Sequence, residues 1–271
     1  VTALELDPAR VFIATYNAAV LSLAVDVRQA DIRDGLPPAT EHVFFDPARR
    51  DERGRRIYDV EAYHPPLSIV RDWHDVARID VKLSPGVRLE QLADYGGQVE
   101  FISSGGDLKE AVLRLGAGTA SPLATLLLGE RVLHWQRDQQ PEVSLTEPHG
   151  WLVEPDPSLL RAGLVQDVAA AMGGYMLDET IAYFTTDRQP DSAWVRAWRI
   201  RDWMPFHLKK LRAYLRQRHV GTVTVKKRGS PMQPETLIPQ LRLKGDQSCT
   251  LVLTRLQGQP IVLICDDLSP F

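Results

Sequence analysis

Glu41-His42-Val43-Phe44-Phe45-Asp46-Pro47-Ala48-Arg49-Arg50 is the stretch on which the reading of this chain turns. The apolar run Val43-Phe44-Phe45 stops at an acid, a proline and two arginines. A parallel strand covered on both faces shows such a continuous run. Ligands in open α/β sheets gather at the carboxyl ends of strands, so Asp46 is the expected seat of chemistry. The plainer alternative is a strand followed by a turn, in which Asp46 caps and Pro47 ends the ladder. The stretch alone leaves both open, and its surroundings decide.

Upstream, Val1 to Leu6 reads as a buried strand that runs into Asp7-Pro8. Ala9, Phe12, Ile13, Tyr16, Asn17 and Val20 then fall near helical spacing, and Val25 to Asp31 forms a second strand ending in an acid. Downstream come the strands Ile79 to Leu83 and Val99 to Ser103, a short helix over Leu108 to Leu115, and an apolar strand from Ala124 to Leu128. Strands alternating with helical stretches predict an α/β fold on a parallel, doubly wound sheet. A carboxylate at a strand end can accept both hydroxyls of a nucleoside ribose, and an acid on the next strand can accept from an adenine amino group. Glu5 and Asp31 stand where those roles are filled; each is equally placed to be a cap or a loop acid.

With 271 residues, 44% hydrophobic and 25% charged, the composition is that of a soluble globular protein, and the length suggests two domains. Cys249 and Cys265 lie in apolar runs and read as reduced core residues of a cytoplasmic protein. No run approaches a membrane span, and no signal peptide is expected. Residues 1–150 hold 16 Lys and Arg against 23 Asp and Glu, a balance of −7, while residues 151–271 hold 16 against 12, a balance of +4. That asymmetry points the second half toward a polyanion. The seven histidines show no metal-ligand spacing, and no HExxH, CxxC, P-loop or nucleophile elbow occurs, so no metal is expected.

The polar stretch Gln136 to Pro148 reads as a linker, giving domains 1–148 and 149–271. Asp156-Pro157 starts a helix with an acid cap and a proline in the first turn. Its stripe is Leu160, Leu164, Val168 and Met172, and Gly173-Gly174 ends it. Phe206 to His219 is an amphipathic helix with Leu208, Leu211 and Leu215 on one face. Val220 to Gly229 is a strand with a basic end, and Cys249 to Leu256 with Pro260 to Cys265 forms a hairpin. These elements make a smaller α+β module. Between Arg196 and Arg228 stand eleven Lys or Arg and one acid, Asp202. Trp198, Trp203, Phe206 and Tyr214 interleave with them. Cations neutralise phosphates and aromatics stack unpaired bases, so Lys209, Lys210, Arg212, Lys226, Lys227 and Arg228 are candidate RNA contacts. The alternative is a solvated helix face above core tryptophans.

Leu4-Glu5-Leu6-Asp7-Pro8, Asn17, Ala30-Asp31 and Phe45-Asp46-Pro47-Ala48-Arg49-Arg50 together resemble class I S-adenosylmethionine-dependent methyltransferases. The likeness is to the bacterial branch with a C-terminal THUMP-like domain. Gly54-Arg55-Arg56, Tyr63-His64-Pro65-Pro66, Lys82-Leu83-Ser84-Pro85-Gly86 and Gly105-Gly106-Asp107-Leu108-Lys109-Glu110 are similar to that branch's pattern too. The resemblance implies a Rossmann-like methyltransferase sheet followed by a smaller α+β THUMP-like domain. It implies S-adenosylmethionine as cofactor, with Glu5 on its ribose, Asp31 on its adenine and Asp46 also among the cofactor contacts. Asp46, Pro47, Ala48 and Arg49 would occupy the place of the Asp/Asn-Pro-Pro-aromatic motif of amino-group methyltransferases. Here Ala48 replaces the second proline and Arg49 the aromatic, a departure that argues against base stacking; an arginine can stack on a base or bind phosphate. Arg49, Arg50, Arg53, Arg55 and Arg56 make a basic loop beside Asp46, read either as a phosphate contact or as a solvated loop.

A glycine-rich loop follows the family's first strand, and no such segment precedes Val1. That first strand lies between the strands of Leu4 and Phe45 in the family's sheet. The expectation is an N-terminally truncated chain with a gap inside its sheet and an incomplete cofactor site. Three functions follow: an RNA methyltransferase acting on tRNA or rRNA, a non-catalytic RNA-binding protein on a degenerate methyltransferase scaffold, and a nicotinamide-dependent oxidoreductase, for which the second half has no evident use.

Overall fold

The computed structural model describes residues 1–271 except Glu52, Ala117, Gln140 and residues 268–271. Two compact units divide the chain. One holds residues 1–99 and 110–120, the other residues 100–109 and 121–271. The boundary expected near residue 148 falls inside the second unit.

In the first unit, β1 (Thr2–Glu5), α1 (Pro8–Val20) and β2 (Asp26–Gln29) form a βαβ turn with β1 and β2 parallel in a sheet of their own. Asp7 caps α1 by accepting from the Ala9 and Arg10 N–H groups, and Pro8 sits in the first turn. The buried start expected from the apolar residues is not found. Among the described residues none before Val43 is buried, and Phe12 on α1 is 72% exposed. Helical spacing reports the helix, but it does not supply what would cover the apolar face.

Next come β3 (His42–Phe45), β4 (Arg78–Leu83), β5 (Gln98–Ser104) and β6 (Asp107–Leu115). β3 and β4 are parallel, and β6 runs antiparallel to β4. Two expectations are corrected here. Leu108 to Leu115 is a strand and not a helix, because Gly105 and Gly106, both at positive φ, make a two-residue turn that sends the chain back extended. β3 is not covered on both faces, since Val43 and Phe45 are buried while Phe44 is 66% exposed. One sheet face therefore carries the core, where Phe45 meets Trp73 edge-on at 5.4 Å. Ile79, Val81, Leu83, Ala111 and Leu113 are buried with it. By strand alternation the other face carries His42, Phe44, Asp80, Lys82, Glu110 and Arg114.

In the second unit, residues 100–104 of β5 lie parallel to β7 (Leu123–Leu128), which pairs antiparallel with β8 (Arg131–Gln136). β9 (Trp151–Pro155) leads to α2 (Pro157–Arg161) and α3 (Val165–Ala171). The single helix expected after Asp156 is thus two, parted where Gly163 takes a left-handed φ of 70°. Then follow β10 (Tyr175–Met176), β11 (Phe184–Thr186), β12 (Val195–Pro205), α4 (Leu208–Gln217), β13 (Val220–Lys227), α5 (Pro234–Leu241), β14 (Gln247–Leu256) and β15 (Gln259–Cys265). The seven-stranded sheet runs β10-β11-β9-β12-β15-β14-β13. Leu211 and Leu215 of α4 and Leu237 and Leu241 of α5 pack with Leu251, Leu253, Val262 and Ile264. Val252 and Leu263 pack with Trp198, Tyr183 and Leu152. Burial on both faces explains the unbroken apolar runs of β14 and β15. Cys249 and Cys265 are buried in these runs as free thiols, and burial pushes them up to about 11 and about 12.

Candidate functional site

Asp46 stands just past the carboxyl end of β3, and the parallel register pairs Phe45 with Val81. That register brings Lys82 beside it, with Nζ 3.1 Å from Asp46 Oδ2. On antiparallel β6, Ala111 faces Leu83, which sets Glu110 at the same end, its Oε2 3.9 Å from Lys82 Nζ. Arg49 approaches the other Asp46 oxygen at 3.9 Å. The result is an Asp-Lys-Glu constellation at the strand ends, open to solvent, flanked by one guanidinium. Pro47 is buried, and Ala48 exchanges two backbone hydrogen bonds with His64 at 2.9 and 3.1 Å, pinning the loop after Asp46.

The basic loop beyond it is folded. The Arg49 carbonyl accepts from the Ile57 N–H, and Arg50 donates to the Gly54 carbonyl at 2.7 Å. Asp51 accepts from the backbones of Arg53 and Arg55 and from the Arg55 guanidinium. The Arg55 backbone bond, against some burial, holds the Asp51 carboxyl below the usual carboxylate range. Arg55 is therefore committed within the loop, while Arg56 is exposed.

Glu5 ends β1, and its carbonyl accepts from Ala30, so Glu5 and Asp31 lie at one end of the β1–β2 pair. The Glu5 carboxylate accepts from the Asp7 N–H at 2.9 Å and has Arg10 at 3.9 Å. Asp31 is gripped by Arg33 through both carboxylate oxygens, and the Arg33 side chain and backbone hold its carboxyl down at about 2. Arg33, Ile69 and Asp72 line two neighbouring cavities of about 340 and 410 Å³. Two carboxylates thus stand at adjacent strand ends, and Arg33, the partner of Asp31, borders the open volume; carboxylates are the acceptors a ribose diol and an adenine amino group need. Among the described residues no group of three His, Cys, Asp or Glu side chains is placed to hold a metal ion.

The candidate RNA contacts divide. Lys209 and Lys210 are exposed on α4. Arg212 donates to the Gln240 carbonyl at 3.0 Å, and Lys227 donates to Gln233 at 2.6 Å. Lys226 is partly buried, 2.6 Å from Glu154 and 4.1 Å above the Trp198 ring. Arg228 meets the same Glu154 at 3.4 Å and lies over Tyr183.

Sequence reasoning quoted Lys82 and Glu110 within motifs but assigned them no role. It also missed Asp80, which is 5% exposed and held by His42 at 2.8 Å, Arg78 at 3.1 Å and Arg114 at 3.0 Å. The available signal was charge at every second position of β4, Arg78-Ile79-Asp80-Val81-Lys82, which marks a strand with one polar face.

The sheets and the α+β module that follows form an α/β architecture whose likeness to solved and family proteins is that of a Rossmann-like methyltransferase fold with a THUMP-like domain. Residues 195–267 match the THUMP domain-like family. Two relatives from Mycobacterium tuberculosis, of strains H37Rv and CDC 1551 / Oshkosh, are each described as an uncharacterized S-adenosylmethionine-dependent methyltransferase. Each is 33% identical over 261 residues, covering 93% of this chain and 70% of the relative. A crystal structure of a proposed methyltransferase from Porphyromonas gingivalis W83 superposes with a TM-score of 0.81 at 21% identity, over 99% of this chain and 71% of that one. The chain belongs to the S-adenosylmethionine-dependent methyltransferase family.

Proposed function

We propose that this protein transfers the methyl group of S-adenosylmethionine to RNA, either tRNA or rRNA, in the bacterial cytoplasm. The observation that carries the reading is the partly exposed Asp46 carboxylate, oriented by Lys82 at the carboxyl ends of two parallel strands, where α/β sheets bind and convert ligands. Glu5 would hold the cofactor ribose, and Asp31, sharing its carboxylate with Arg33, the adenine. Bound there, the cofactor supplies an electrophilic methyl group. Asp46 orients the acceptor and takes its proton, and most of the rate gain comes from alignment of acceptor and donor. Pro47, Ala48 and Arg49 set the loop that carries this carboxylate. The Arg50 and Arg56 side chains and the exposed Lys209 and Lys210 are offered to phosphates.

Calorimetric titration of S-adenosylhomocysteine into the natural full-length protein tests the cofactor half, with binding expected and a tenfold or greater loss in Glu5→Ala, about the worth of one strong charge-assisted hydrogen bond. Transfer of labelled methyl to RNA tests the rest. It is expected from the native protein and lost in Asp46→Ala. A protein that never binds S-adenosylhomocysteine would overturn the assignment.

A further inference from the structure

The Asp46-Lys82-Glu110 constellation says which kind of atom can be methylated. All three side chains are partly exposed, at 43%, 29% and 32%, so a substrate group can reach them. An ammonium has three donors and no acceptor. One Lys82 donor goes to Asp46, and the Glu110 carboxylate lies 3.9 Å from the same ammonium. A donor remains for an incoming atom that already lies against Asp46.

An exocyclic amine offers that atom poorly. It has a single lone pair, the pair that must attack the methyl carbon, and a lysine donor beside it competes for it. A hydroxyl oxygen has two lone pairs and one proton. One lone pair accepts from Lys82, the other attacks, and the proton is given to Asp46. We propose that Asp46, Lys82 and Glu110 form the acceptor site for an alcohol, and that the methylated atom is a ribose 2′-hydroxyl of RNA. This rests on the methyl-transfer reading above. In the step, the hydroxyl oxygen forms its bond to the methyl carbon as the carbon–sulfur bond breaks, with that electron pair passing to sulfur. The hydroxyl proton passes to the Asp46 carboxylate and then to water. Lys82 stabilises the negative charge that gathers on oxygen as the proton leaves, the kind of contact whose removal costs about a hundredfold or more in rate. Lys82 touches the reacting oxygen and is a catalytic residue; Glu110 touches only Lys82 and is a positioning residue. Arg49 in place of an aromatic fits the same acceptor. A 2′-hydroxyl needs no stacked base, and its neighbouring phosphate is matched by a guanidinium.

The experiment uses the natural full-length protein, labelled S-adenosylmethionine and total RNA from a strain lacking the protein. A 2′-O-methyl group blocks alkaline cleavage of the adjoining phosphodiester, so the label is expected in alkali-resistant dinucleotides. Label in a methylated base, with ordinary alkaline cleavage, would overturn the proposal while leaving the RNA methyltransferase reading intact. No transfer to any RNA by a protein that binds S-adenosylhomocysteine would overturn both. Lys82→Met is expected to lower transfer about a hundredfold or more with S-adenosylhomocysteine affinity within about twofold, and Lys82→Arg to restore part of it. Equal transfer by Lys82→Met and the native protein would sink the role of Lys82. Binding gives a separate readout: an oligonucleotide with a 2′-deoxy acceptor should bind the native protein more weakly than its ribose parent, and Lys82→Met should bind the two alike. Glu110→Gln is expected to reduce kcat about tenfold at unchanged KM, with Glu110→Asp recovering part of the loss. A purely structural role for Glu110 would instead show as lowered stability with kcat kept.

Discussion

Lys82 and Lys226 make the same local contact and do different work. Each is a lysine on a β-strand whose ammonium meets a carboxylate, Asp46 at 3.1 Å for one and Glu154 at 2.6 Å for the other. Around Lys82 the surroundings are a second carboxylate, a guanidinium 3.9 Å from Asp46, and open solvent at a strand end. Around Lys226 they are the Trp198 ring, Arg228 and the Tyr183 side chain, with Glu154 only 17% exposed. The first pair keeps a donor and a carboxylate available to a ligand. The second is more fully engaged, because its acid serves two cations and accepts from a tyrosine hydroxyl, and its cation faces an aromatic ring. An ion pair becomes a site when something is left over for a ligand and a staple when nothing is.

Four measurements would break or sharpen that contrast. The largest effect is expected at Lys82→Met, where methyl transfer falls about a hundredfold or more while the urea midpoint barely moves; a stability loss with transfer intact would make Lys82 a staple as well. Lys226→Met is expected to invert the pattern. Removing the cation leaves Glu154 half-paired in a largely buried setting, costing about 2 kcal/mol, below the range for a fully buried pair. RNA affinity should be nearly unchanged, and its loss at constant stability would return Lys226 to the RNA surface.

Asp80 gives a third test, by pH. Burial pushes its carboxyl up, but His42, Arg114 and Arg78 together outweigh that and leave it below the usual range. A carboxyl lowered in the folded state lends stability above the unfolded value of about 3.9, and that stability is lost as pH falls through the folded value. Urea unfolding should therefore weaken below about pH 4, and Asp80→Asn should lack that part of the decline. The smallest effect on stability is expected from Lys209→Ala with Lys210→Ala, within about 0.5 kcal/mol for exposed surface sites. Those two changes should lower the salt slope of RNA binding by about 1 to 2. An unaltered slope would remove α4 from the RNA surface.

Much of the architecture was legible because local rules and global packing agree. Asp156-Pro157 announced a helix start, and its cap forms. The apolar runs of β14 and β15 announced a hairpin, which forms with both faces buried. Where the rules conflicted, the reading failed. Leu108 to Leu115 has residues compatible with either period, and the tight Gly105-Gly106 turn decided for a strand. Val43-Phe44-Phe45 is apolar throughout, yet only alternate residues are buried, because a run of apolar residues does not state which neighbours will cover it.

The amino-acid sequence by itself determined the Rossmann-like order of elements, the α+β module after it, the acids at strand ends and the place of Asp46. Each depends on residues close together in the chain, through periodicity, capping and strand termination. Only the tertiary structure decided that Lys82 and Glu110 join Asp46, and that Lys226 and Arg228 turn inward to Glu154. Those contacts span 36, 28, 72 and 74 residues of chain, and they are set by strand register, which no single segment encodes.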